Sequence, residues 1–255
     1  MQQGEVTGRI GWPYYAGIFL LPMATLLLEL SLTRVLSVAL WYHFGFLIIS
    51  TALLGFGASG VVLALWRRLR ENAPLPRALA SLASAFGLST ILCFWLLQHV
   101  PFDPFSLLAD RRQLLFMPLY YLLISIPFFC SGLGLALLFT RSTREIHWLY
   151  AFDLFGAGVG CAAIAAVMPV FGGSGSVMVA AAIGLLAAAI FAMDKARKWA
   201  GVCLACHAGL DYLGAARHFA RYAVSDRFAP GFRRSAGART VVLGCERLLY
   251  CHRHS

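Results

Sequence analysis

Between about Tyr14 and Met193 the chain shows neither a two-residue alternation nor one narrow helical stripe; apolar residues instead fill six consecutive stretches. Crossing about 30 Å of hydrocarbon takes roughly 20 mainly apolar residues, and the six stretches run from 16 to 26 residues. The pattern predicts an all-α, polytopic membrane helix bundle. Its spans run from about Tyr14 to Leu36, Phe44 to Trp66, Ala78 to Leu97, Leu114 to Phe139, Trp148 to Met168 and Val177 to Ala192. Few ionisable side chains interrupt them: Glu29, Arg34, His43 and Asp153.

Punctuation between the runs refines this picture. A Pro74 to Pro76 turn precedes the third span, and Pro118 and Pro127 predict a kinked fourth. Gly172-Gly173-Ser174-Gly175 predicts a tight hairpin between the last two. The first run stays apolar as far as Leu40 and shows no small-residue cleavage site after a short centre, so it reads as a retained helix rather than a secretory signal.

Composition agrees with the pattern. Hydrophobic residues make up 60% of the chain and charged residues 13%, with a mean hydropathy of +0.75. Soluble domains carry about 25% charged residues. A net charge of +10 could suggest nucleic acid, but the basic residues sit in short connections and in the tail. Arg67, Arg68, Arg70 and Arg77 follow the second span, Arg141 and Arg144 the fourth, and Lys195, Arg197 and Lys198 the sixth. By the positive-inside rule these sides and both termini face the cytoplasm, and nucleic acid is not an expected partner. The connection around Asp103, Asp110, Arg111 and Arg112 is the least decisive point of the topology. Residues 1–13 form an inner N-terminus, 14–193 the bundle, and 194–255 a basic tail rich in Cys and His.

Asp153-Leu-Phe-Gly156-Ala-Gly158-Val-Gly160 contains G-x-G-x-G, but a dinucleotide loop needs a preceding strand and an acidic residue about 20 positions later. Here the glycines lie inside an apolar span, where small residues four apart let helix backbones approach. Gly156 and Gly160, like Gly55 and Gly60 in the second span, are therefore expected at helix contacts. Gly57, Ser59, Gly132 and Gly134 read the same way. Glu29 and Arg34 occupy the outer half of the first span, about 140° apart on the helix, with Thr33 one turn from Glu29 and His43 at a similar depth. An ionised group there is costly unless paired or hydrated. Two readings stand: a polar site between spans one and two, or an interhelical clamp with Arg34 snorkelling to the headgroups. Asp153 is expected to be a hydrogen-bonding structural residue near the inner face.

In the tail, Cys203-Leu-Ala-Cys206-His207 matches the C-x-x-C-H attachment pattern of c-type haem, and a membrane-anchored cytochrome is one reading. The inward placement of the tail opposes it, since haem is attached outside. Zinc would need Cys245, Cys251, His252 or His254 as distant partners. Neither cofactor is expected.

Glu29-Leu-Ser-Leu-Thr33-Arg34, Tyr42-His43-Phe44, Leu54-Gly55-Phe-Gly57-Ala-Ser-Gly60 and Tyr150-Ala-Phe-Asp153-Leu-Phe-Gly156-Ala-Gly158, taken in order, resemble the membrane half of multi-pass spermidine synthase-like proteins. The resemblance covers about Gly17 to Gly173. It implies a bundle in a bacterial inner membrane that anchors or partners a soluble aminopropyltransferase or methyltransferase-type domain. Apart from the resemblance, the lipid bilayer is an expected partner and a further copy of the chain a candidate one. The resemblance also implies a domain with a strand-loop-helix glycine motif, and no such pattern follows Met193. The expectation is a non-catalytic membrane half whose tail is a truncated or frame-shifted end. A small transporter with a polar site at Glu29, Arg34 and His43 is the alternative.

Overall fold

The computed structural model describes residues 11–40, 44–66, 74–99 and 111–193. Among these the regular structure is helical: α1 (Trp12–Leu40), α2 (Phe44–Leu65), α3 (Leu75–His99), α4 (Arg111–Arg141), a 3₁₀ turn (Thr143–Glu145) and α5 (Ile146–Ala192). In hydrocarbon every backbone N–H and C=O must be satisfied within its own segment, and the α-helix does this locally. Five helices among the described residues are long and apolar enough to cross a membrane, which fits an integral membrane protein. The count differs from the six spans expected because α5 contains both of the last two.

α5 is not one rod. Gly172 has φ 73° and ψ 179°, a backbone conformation that breaks the helix at a single residue instead of in the four-residue turn expected. That region of φ/ψ space is essentially restricted to glycine. Before the break, Phe152 stacks near Tyr15 and Phe155 near Phe19, with ring centroids 5.3 and 5.7 Å apart. At the break Gly173 abuts Val35, and at the far end Phe191 packs on Gly17 and Tyr14. The first arm therefore climbs alongside α1 and the second descends beside it.

The other helices alternate in the same way. α4 meets α1 with Ser131 against Thr25 and Gly134 against Leu21, an antiparallel match. Gly55 lies against Phe128, and Gly132 against Phe56 and Ser59, so α2 runs parallel to α4. Gly134 also faces Leu82 of α3, whose Gly87 abuts Leu185 of the second arm. The starts of α1, α3 and α5 thus share one end of the bundle with the ends of α2, α4 and the second arm.

Hydroxyl groups buried in this apolar interior bond back to carbonyls of their own helices. Thr25 donates to the Leu21 carbonyl at 2.8 Å, Ser31 to Leu27 at 2.6 Å, Thr51 to Leu47 at 2.5 Å and Thr90 to Phe86 at 2.8 Å. This satisfies a donor that lipid could not. Phe86, Phe128 and Phe191 are the largest fully buried side chains.

Glycines set the closest helix approaches. A Cβ on Gly156 would collide with the Phe19 carbonyl oxygen, and one on Gly160 with that of Met23. Across α2 and α4, a Cβ on Gly55 would lie 2.8 Å from the Ser125 carbonyl oxygen. Gly60, expected at such a contact, is a correction: it is exposed, and a Cβ there would meet no atom within 4 Å. It sits on the outward face of α2, three residues beyond Gly57, where there is likewise no neighbour within 4 Å.

Candidate functional site

α1 carries the polar stretch Glu29 to Ser37. Thr33 lies one turn beyond Glu29 on the same face and donates to the Glu29 carbonyl at 2.8 Å, while Ser37 donates to the Thr33 carbonyl. The start of α2 packs here, since a Cβ on Gly45 would stand 3.6 Å from the Thr33 methyl carbon. Glu29 is half-buried, and among the described residues its carboxylate makes no ion pair or side-chain hydrogen bond. Arg34 is exposed on another side of the helix, so the structure does not bring these two charges together. His43 lies outside the described residues.

Asp153 belongs elsewhere. Gly156 abuts Phe19 and the two helices run parallel, which puts Asp153 near the level of Ala16. The rise from Ala16 to Glu29 is about 20 Å, too far for one site. Asp153 is half-buried, and in contrast to the hydrogen-bonding role expected, its carboxylate has no hydrogen-bond partner among the described residues. The α1–α5 contact at this height is made by aromatic rings and glycine instead.

Two interhelical hydrogen bonds lacked any signal in the sequence pattern. The Thr25 and Ser131 hydroxyls pair at 2.6 Å between α1 and α4 in the buried interior. The Tyr15 hydroxyl donates to the Glu145 carboxylate, tying the start of α1 to the 3₁₀ turn. A nearby neutral residue, Ser142, is buried with its hydroxyl unpartnered. Tyr15 stands out in the sequence only as a headgroup-level aromatic, and Glu145 only as an acid among arginines. Partners so distant along the chain leave no local spacing to read.

Among the described residues the space between the helices is lined mainly by apolar side chains. A cavity of about 10 Å³ lies between α1, α3, α4 and the second arm of α5, lined by Leu28, Leu32, Thr90, Cys93, Phe94, Leu97, Ile124, Pro127 and Val177. Its one hydroxyl, on Thr90, is already committed to the Phe86 carbonyl. A space of this size is at the lower limit for a single water, which would need several polar partners. Among the described residues no three His, Cys, Asp or Glu side chains gather as metal ligands, and the thiols of Cys93, Cys130 and Cys161 are free. Cys203, Cys206 and His207, the haem or zinc candidates, lie outside the described residues. Comparison of the chain with protein-family models, with characterised proteins and with solved structures finds no match.

Proposed function

We propose that this chain is a six-span bundle with both termini in the cytoplasm, in which each arm of α5 crosses the membrane, and that it anchors a soluble partner in a bacterial inner membrane. The supporting observation is the apolar interior: among the described residues, apolar side chains and hydroxyls bonded to their own helices lie between the helices, and the cavity found there is apolar and about 10 Å³. An apolar interior of this kind suits a scaffold better than a conduit. The resemblance to spermidine synthase-like proteins supplies the class of partner, an aminopropyltransferase or methyltransferase-type domain. Co-expression tests it. Such a soluble domain is expected in the membrane fraction when this chain is present and in the soluble fraction when it is absent. Equal distribution in both strains removes the reading.

The half-buried, unpaired Glu29 beside Thr33 and the start of α2 favours a second reading, a small transporter or ligand-binding bundle. Proteoliposomes containing the chain would then take up a polyamine or another small cation, and Glu29→Gln would abolish uptake. Uptake unchanged in the variant takes Glu29 out of the mechanism.

A further inference from the structure

The end of the bundle where α1, α3 and α5 begin carries a band of exposed aromatic and cationic side chains. Trp12 is 75% exposed, Trp66 61%, Trp148 58% and Tyr150 56%. Arg77 and Arg144 are exposed at the same end, and Glu145 is engaged by the Tyr15 hydroxyl. We infer that this rim is a binding surface for anionic phospholipid headgroups, with Arg77 and Arg144 contacting the phosphates and the exposed tryptophans and Tyr150 setting the depth.

Several helices contribute to the band, and the packing decides that they do so at one height. α3 runs antiparallel to α4, with Leu82 facing Gly134, which brings Arg77 towards the end of α4 and hence towards Arg144. Trp66, just past the end of α2, reaches the same height because α2 runs parallel to α4. Phe139 and Tyr150, with ring centroids 6.4 Å apart, join α4 to the first arm of α5 there. Trp and Tyr favour the headgroup level, having an apolar body and one polar group. Arginines held at that depth meet lipid phosphates, which accept from the guanidinium fork. An acidic protein surface would satisfy the arginines alone but would not account for indole rings exposed beside them.

The inference rests on the inward orientation proposed above, and its test uses the chain alone, without any soluble partner. The full-length chain, purified in a zwitterionic detergent, is given equal amounts of phosphatidylglycerol and phosphatidylcholine and examined by native mass spectrometry. Wild-type protein is expected to retain phosphatidylglycerol preferentially. A cation near an anionic lipid surface is worth about fivefold in affinity, so Arg77→Gln with Arg144→Gln should reduce that retention by about 25-fold. Arg34→Gln, exposed towards the other end, should leave it unchanged, and an unchanged melting temperature in each variant shows that the bundle is intact. Equal retention of the two lipids by the wild type overturns the inference, as does undiminished phosphatidylglycerol retention by the double variant. Binding of a polyglutamate peptide that the double variant loses, without lipid preference in the wild type, overturns it in favour of an acidic protein. Failure of the anchor reading in the co-expression experiment leaves every one of these lipid results standing.

Discussion

Gly156 and Gly60 are the same residue type in similarly apolar surroundings, yet they have opposite consequences. A methyl group on Gly156 would be driven into the Phe19 carbonyl, and backbone cannot swing away as a flexible side chain can. Gly156→Ala should therefore cost about 1–3 kcal/mol and lower the melting temperature in detergent. Gly60→Ala, with open space around it, should leave that temperature unchanged or raise it slightly, because alanine is the better helix former. Equal effects in the two variants would refute the α1–α5 contact described. The buried Thr25–Ser131 pair gives a second measurement at this scale. A double-mutant cycle with Thr25→Ala and Ser131→Ala should give a coupling of about 0.6 kcal/mol, and no more than about 1.7, the range of hydrogen bonds between membrane helices. Additive single effects would show that the two hydroxyls do not interact.

Among the elements, α5 depends most on a single backbone position. Gly172 takes a conformation that L-residues rarely adopt, and the reversal of the chain beside α1 follows from it. Gly172→Val should cost about 1–3 kcal/mol through backbone strain. Thermal unfolding measures this, and an unchanged melting temperature would mean that the reversal does not need a glycine there. Ser176 donates to the Gly172 carbonyl at 2.7 Å and helps satisfy the broken turn. The glycine-rich run from Gly172 to Gly175 makes a turn legible in the sequence. Its compression into one residue is not legible, because Gly173 to Gly175 are able to continue a helix once neighbouring side chains hold them, as Val35 holds Gly173. The helix limits were legible to within a few residues: α3 begins at Leu75 where Ala78 was expected, and α4 extends past Phe139 to Arg141.

For the whole molecule, the end of the bundle where α1 and α5 begin is held together by the Tyr15–Glu145 hydrogen bond as well as by packing. Tyr15→Phe keeps the ring against Phe152 but removes the donor, leaving a partly buried carboxylate short of a partner. It should destabilise the bundle by about 1–3 kcal/mol, read as a lower melting temperature. Restoring wild-type stability in the Tyr15→Phe, Glu145→Gln double variant would show that the cost lies in the unpaired carboxylate. In intact cells a membrane-impermeant thiol reagent should label Ser174→Cys and not Thr143→Cys, each compared with the parent chain; the reverse would invert the orientation. The sequence by itself determined the helical class, the approximate spans and the glycines suited to close contact, because the need to bury backbone polar groups in hydrocarbon acts on each segment separately. Only the tertiary structure decided which glycines are in contact and that Tyr15 meets Glu145. Those outcomes depend on which helix face meets which neighbour, and such matching is settled when the whole bundle packs.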